Sequence, residues 1–206
     1  MTAAEISGWH FLAADGCIAH GAFAGATSKK VEVGVTYSVT GTLELCEWGL
    51  HASVRPLDAL GFAKGAIACY VRLSGDILTD ADKMCASERT VLAMADVTRE
   101  LHLFAVWAAR RALMRERKAG REPDARSWNA LKVKLLWLQD KASDADLEAA
   151  LEAAREAARE AAWEAAREAA REAAWGAAGE AAREAEVTVQ NRQLEKVLRK
   201  ALRMAS

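Results

Sequence analysis

The densest group of chemically versatile side chains lies between Leu45 and Ser53. This stretch carries the thiol of Cys46, the carboxylate of Glu47, the imidazole of His51 and the hydroxyl of Ser53. Such groups on a loop after a strand can form a catalytic or binding site. A structural interpretation stays open, in which the segment is a turn, His51 bonds into the core and Ser53 caps a helix. We take His51 and Ser53 as catalytic candidates and Cys46 and Glu47 as binding candidates.

A second group of polar residues surrounds Glu88, where a β-type pattern gives way to a helical one. On a structural interpretation, the carboxylate of Glu88 suits the positive end of a helix and Arg89 is solvated. On a functional interpretation, the side chains of Glu88 and Arg89 would point into a cleft beside His10 and His51. On this second interpretation His10 and Glu88 become catalytic candidates, and Lys83 and Arg89 become binding candidates.

The cysteines and histidines do not have the spacing of a metal site. No Cys-x-x-Cys pair occurs in the sequence, and such a pair is the usual sign of zinc. The chain also lacks an export signal, so we expect a reducing environment and free thiols. We therefore predict no metal, and the four cysteines are Cys17, Cys46, Cys69 and Cys85.

The first part of the chain, which carries most of these residues, is predicted to form β-strands. Between Val31 and Val39 apolar and polar residues alternate, which is the period of a half-buried strand. Further strands are predicted at residues 9–13, 16–19, 43–46 and 66–73.

Helical patterns follow the strands. A short helix with Pro56 in its first turn is predicted after Ser53. From Ser87 apolar residues recur at helical spacing as far as Lys118, and a second amphipathic helix begins near Asp124. Residues 1–142 are thus predicted to be an α+β body, small and β-rich with two amphipathic helices.

Residues 143–186 are predicted to form one long helix, because the tetrad Glu-Ala-Ala-Arg/Trp repeats almost without error. Ser143, with Asp146 three residues on, predicts a capping-box-like start of this helix. Alanine has the highest helix propensity. A four-residue repeat advances about 40° per repeat around the helix axis, so no continuous seam for a coiled coil arises. Trp163 and Trp175 are therefore predicted to bind a partner, another copy or the body at discrete points.

Residues 187–206 are predicted to form a short basic amphipathic helix. Five basic residues stand against one glutamate, a net charge of +4 over this tail. Nucleic acid is accordingly a second candidate partner. The whole chain has a formal charge of −1, and no apolar run approaches the roughly 18 residues of a membrane span. We expect a soluble cytoplasmic protein that does not bind membranes.

Several short motifs together carry a resemblance to a known family. They resemble an uncharacterised family encoded by tailed phages and prophages, in which an α+β body precedes an Ala-rich tract. The resemblance implies the cytoplasm of the host cell, and it implies no particular activity. The motifs are Gly8-Trp9-His10-Phe11-Leu12, Leu45-Cys46-Glu47, Gly49-Leu50-His51-Ala52-Ser53, Asp58-Ala59-Leu60, Asp82-Lys83 and Glu88-Arg89-Thr90-Val91-Leu92.

A second likeness concerns the ADP-ribosyltransferase fold. The order of His10, then Gly49 to Ser53, then Glu88 is similar to the order of residues that line its nicotinamide pocket. This likeness implies NAD as cofactor, with His10, His51, Ser53 and Glu88 in one pocket. Two departures are that His51 stands where tyrosine is usual and that Glu88 is predicted at a helix start.

The sequence therefore predicts an α+β body followed by a long repeat helix and a short basic helix. The leading functional hypothesis is a phage accessory protein without a cofactor. It would bind a host or phage macromolecule, most simply a protein. Counteraction of host defence is one such role, and the formation of oligomers also stays open. The alternative is an NAD-using enzyme with its pocket in the body.

Overall fold

The computed structural model describes residues 5–18, 29–169 and 177–204, with side chains omitted at 162–169 and 177–182. The contacts of the chain group into two compact units. We call Met1–Glu100 with Thr188–Ser206 the sheet unit and Leu101–Val187 the helical unit. The predicted α+β class is confirmed.

An antiparallel sheet of five strands is the frame of the sheet unit. Its order is β1-β6-β7-β4, and β5 also pairs with β7. Two further short strands, β2 and β3, pair with each other. The strands are β1 Ile6–Leu12, β2 Cys17–Ile18, β3 Lys29–Lys30, β4 Thr36–Ser38, β5 Leu50–Ala52, β6 Ile67–Thr79 and β7 Met84–Asp96.

The predicted helix start at Ser87 is wrong. Residues 84–96 form β7, which pairs with β6 along almost its whole length. Helix α2, Thr98–Lys118, begins only after Asp96, whose Oδ1 accepts the Thr98 N–H at 2.8 Å. The apolar residues that suggested helical spacing also fit a strand with bulges, and pairing with β6 decides between the two.

Three other local predictions are also wrong. Of the strand predicted between Val31 and Val39, only Thr36–Ser38 forms a strand, β4. Residues 43–46 form a turn instead of a strand, in which the Glu44 N–H donates to the Trp48 carbonyl at 2.8 Å. Ser53 does not cap the short helix α1, Pro56–Gly61, whose N-cap is Arg55. Proline does occupy the first turn of α1, as its fixed φ angle predicts.

The chain from Thr188 onward belongs to the sheet unit. It is the end of α5, Ala177–Ala201, so the predicted short separate helix is part of a longer one. The Asn191 Oδ1 accepts the Leu57 N–H of α1 at 2.9 Å, a bond that the Arg55 side chain does not make. Leu194 and Leu198 are completely buried. This segment therefore contributes to the core of the sheet unit and caps α1.

In the helical unit, α3 (Ala125–Trp137) packs against α4 (Asp144–Ala169). Asp124 caps α3 by accepting the Arg126 N–H at 2.7 Å, which confirms the predicted start. Ser143 and Asp146 exchange backbone-to-side-chain bonds of 3.1 and 2.9 Å, the predicted capping box. Helix α4 is the first part of the predicted repeat helix.

Candidate functional site

A cavity of about 350 Å³ lies in the sheet unit. Strands β1 and β5 line it together with the residues that follow α1. Its apolar lining includes Trp9, Phe11, Leu12, Leu50 and Phe62. Its polar lining includes His10, Cys46, His51, Ser53, Lys64, Lys83 and Arg89.

Six of the residues singled out in the sequence meet at this cavity. They comprise three of the four catalytic candidates and three of the binding candidates. Antiparallel pairing brings them together, because β5 lies beside β7 and Ser53 bridges to Trp9 of β1. The six are His10, Cys46, His51, Ser53, Lys83 and Arg89.

Glu88 is not among the residues that line the cavity. Successive side chains on a strand point to opposite faces, so the inward position of Arg89 directs Glu88 outward. Glu88 is exposed, and its Oε2 accepts the Ser74 hydroxyl at 2.9 Å. The predicted placement of Glu88 at a helix start and inside the cleft is therefore corrected.

The remaining candidates also lie apart from the cavity or outside the described residues. Glu47 is an exposed residue of the turn between β4 and β5, and its N–H donates to the Glu44 carbonyl at 3.1 Å. Trp163 is part of α4, but its side chain lies outside the described residues, as does the whole of Trp175. Their predicted binding roles stay predictions.

Arg89 is the most unusual residue of the cavity, because its side chain is only 2% exposed. One guanidinium nitrogen donates to the His51 carbonyl at 2.8 Å. The Nε group has no hydrogen-bond partner among the described residues. Burial lowers the pKa of Arg89 to about 10, so the side chain still carries its positive charge at neutral pH.

No carboxylate of the described residues forms an ion pair with Arg89. Cys69 and Tyr37, the two titratable groups that act electrostatically on it, do not replace one. Burial raises the pKa of the Cys69 thiol to about 12, which keeps it neutral. The Tyr37 hydroxyl donates to the Lys30 carbonyl at 3.2 Å and accepts the Glu32 N–H at 2.8 Å. Arg89 is therefore a buried cation without an anionic partner in the described chain.

His51 connects the turn to the interior of the cavity. Its Nε2 accepts the backbone N–H of Cys46 at 3.0 Å, while its carbonyl accepts from Arg89. An acceptor Nε2 is unprotonated, so it cannot also donate a proton. Cys46 has a left-handed backbone with φ of 71°, a conformation that non-glycine residues adopt only when their surroundings enforce it. His51 thus fixes the position of Cys46.

Lys83 is a second cation that lines the cavity. Its pKa is raised, first by a hydrogen bond with the Cys46 thiol group, and less by the charges of Asp82 and Asp80. The Lys83 Nζ lies 5.5 Å from the centre of the Phe62 ring, and Phe62 is half exposed. Lys83 therefore places a positive charge beside an aromatic wall of the cavity that Cys46 also lines.

Ser53 helps to hold the frame of the cavity through its backbone. Its N–H donates to the Trp9 carbonyl at 2.9 Å and its carbonyl accepts the Trp9 N–H at 2.7 Å. The residue is buried. Phe62 and Lys64 were missed by the sequence reasoning, because they follow α1 without any motif that marks them.

In the part of the chain that is described, no group of three or more His, Cys, Asp or Glu side chains could hold a metal ion. No helix within the described ranges combines the length and apolar character needed to cross a membrane.

The comparisons with known proteins give one match. A family model described as a domain of unknown function (DUF7666) is similar to residues 23–102. The matched segment contains Cys46, His51, Ser53, Lys83 and Arg89, whereas His10 and the segment from Thr188 lie outside it. No curated protein and no solved structure matches the chain. The similarity agrees with an uncharacterised family and does not bear on a phage origin.

Proposed function

We propose that the sheet unit binds a small molecule carrying an oxyanion, a carboxylate or a phosphate group, in the cavity beside Arg89. The single observation that carries the proposal is the buried guanidinium, whose Nε group lacks a hydrogen-bond partner among the described residues. Among the described residues that line the cavity there is no Asp or Glu. Lys64, Lys83 and Arg89 add positive charge instead.

The energetics favour a ligand over a purely structural role for Arg89. A buried ion without a counter-ion has an effective desolvation penalty of several kcal/mol, roughly, even after the protein relaxes. Holding the His51 carbonyl uses only one of the five N–H donors of a guanidinium. A carboxylate or phosphate accepts two such donors side by side and supplies the missing negative charge. A bound ligand would thus offset the desolvation penalty of the buried guanidinium.

The shape of the cavity indicates what else the ligand carries. A volume of about 350 Å³ lies at the lower end of the range for small-molecule sites, roughly 300 to 1,000 Å³. Trp9, Phe11, Leu50 and Phe62 provide apolar and aromatic walls. A compact molecule with one oxyanion and one apolar or aromatic portion matches this lining.

The NAD-using enzyme remains a second candidate on one observation, the meeting of His10, His51 and Ser53 at one cavity. NAD also carries the phosphate groups that Arg89 would bind. Glu88 lies outside the cavity, however, so this candidate lacks the carboxylate that the resemblance implied. Binding of a host or phage macromolecule and a place in the host cytoplasm stay predictions.

Binding of aromatic acids tests the proposal directly. Thermal unfolding of the full chain is measured with benzoate and phenyl phosphate, with benzamide as the neutral counterpart of benzoate and chloride at matched ionic strength. We expect the acids to raise the Tm and benzamide to leave it unchanged, because only an oxyanion pairs with Arg89. Stabilisation should approach about 2.7 kcal/mol at a ligand concentration 100 times Kd.

Two variants distinguish binding in the cavity from a general effect of protein charge on the response to benzoate. Lys83→Gln removes a lining cation, and Lys196→Gln removes an exposed one on α5 that does not line the cavity. We expect the first variant to weaken the response to benzoate and the second to preserve it. Equal responses to benzoate and benzamide in the wild-type protein would overturn the proposal.

A further inference from the structure

Cys46 has the surroundings of a reactive thiol. It is an exposed cysteine that lines the cavity, on a turn whose backbone is held by His51 in the left-handed region. By contrast, Cys69 and Cys85 are buried, and burial raises the pKa of each. Thiol reactivity has two requirements, access to the thiol and the presence of the thiolate form. Cys46 meets the first requirement, access, whereas the two buried thiols do not.

Lys83 bears on the second requirement. Lys83 lines the same cavity as Cys46, and Cys46 is the first cause that raises the pKa of the lysine. The thiolate is the nucleophilic form of a cysteine, and Lys83 brings an ammonium group to the cavity that this thiol lines. No carboxylate is among the described residues that line the cavity.

Arg89 independently indicates that the same cavity binds a ligand. Its buried Nε group has no hydrogen-bond acceptor among the described residues. His51 joins the two features, because its ring holds the backbone of Cys46 and its carbonyl holds Arg89. His51 therefore holds both Arg89 and Cys46 in place. A site that binds one end of a ligand and reacts at the other end needs such a fixed arrangement.

We propose that Cys46 is a nucleophile that captures small electrophiles carrying an oxyanion, an inference that rests on the anion site of the proposed function. The substrate class is an aldehyde or ketone that bears a carboxylate or phosphate. The thiolate sulfur forms a bond to the carbonyl carbon, and the π-electron pair of the C=O bond moves to oxygen. The oxygen takes a proton from the Lys83 ammonium, which gives a hemithioacetal without a leaving group.

Two alkylating reagents of nearly equal size test the inference. Iodoacetate carries a carboxylate and iodoacetamide is neutral; in both, sulfur bonds to carbon and iodide leaves with its electron pair. Rates at Cys46 are measured on the full chain by peptide mass spectrometry and compared with rates for N-acetylcysteine. We expect the iodoacetate-to-iodoacetamide rate ratio at Cys46 to exceed that of the free thiol by about tenfold or more, equivalent to about 1.4 kcal/mol.

Saturation and competition complete the test. The rate with iodoacetate should level off as its concentration rises, and benzoate should slow it. Lys83→Gln should lower the rate ratio, whereas Lys196→Gln should leave it unchanged. A ratio equal to that of N-acetylcysteine would overturn the inference. If benzoate still raises the Tm in that case, the anion site stands and only the nucleophile fails; if benzoate has no effect either, both fail.

Discussion

The segment from Thr188 is expected to be essential to the stability of the sheet unit, and Leu198→Ala tests this. The Leu198 side chain is completely buried, and Leu198 is grouped with the sheet unit. Removing three carbons from such a site costs about 2 to 5 kcal/mol in the free energy of unfolding. The same substitution at a solvent-exposed position would cost less than about 0.5 kcal/mol.

The bond from Leu57 to Asn191 gives a second, smaller perturbation in the same segment. Asn191→Ala removes the acceptor of an N–H group in the first turn of α1, where the N-cap side chain offers no replacement. Loss of such a cap costs about 0.5 to 2 kcal/mol. Lys196→Ala is the matched control, because Lys196 lies on the same helix and is exposed.

The assay combines urea unfolding with amide hydrogen exchange. Urea midpoints give the change in free energy, and exchange in peptides from Ile67–Asp96 shows whether the β6–β7 hairpin itself is destabilised. We expect Leu198→Ala to accelerate exchange throughout the hairpin and Lys196→Ala to leave it unchanged. A loss below about 0.5 kcal/mol with unchanged protection of the hairpin would refute the argument, because it would make the segment an independent surface helix.

Two further predictions concern a close backbone approach and a pH dependence. Gly8→Ala should destabilise the sheet unit by about 1 to 3 kcal/mol, because the new Cβ would meet the Ser53 carbonyl oxygen at 2.7 Å; Gly61→Ala, with open space around it, should not, and urea midpoints compare the two. In the helical unit, burial and the charge of Lys134 lower the pKa of His102 below its ordinary value of 6.5. The unfolded chain therefore binds the proton more tightly, and stability should fall as pH drops through about 6.5. Replacing His102 by glutamine should flatten that part of the pH profile, and an unchanged profile would contradict the assignment.

Local signals in the sequence predicted those features of the fold that depend on neighbouring residues. Asp124 and the pair Ser143 and Asp146 start their helices as predicted, because a cap bonds to N–H groups within three residues. The strand β7 was missed for the opposite reason. Its apolar spacing fits both periods, and the choice between them depends on β6, which the local pattern does not include.

The residue types of the candidate site could be predicted from the sequence, but their arrangement could not. Cys46, His51 and Arg89 were singled out, yet the direction in which a strand side chain points depends on register. A shift of one residue would exchange Arg89 and Glu88 between the two faces. The sequence interpretation that left Arg89 solvated failed because burial of a charge is a tertiary property.

Crystallographic location of 4-iodobenzoate bound to the full chain tests the central claim most directly, because the anomalous signal of iodine identifies the probe. The proposal predicts that the probe lies in the cavity, with its carboxylate oxygens about 3 Å from the Arg89 guanidinium nitrogens and its ring against the apolar walls. A probe found only outside the cavity, with the Arg89 Nε group bonded to a protein carbonyl, would contradict it.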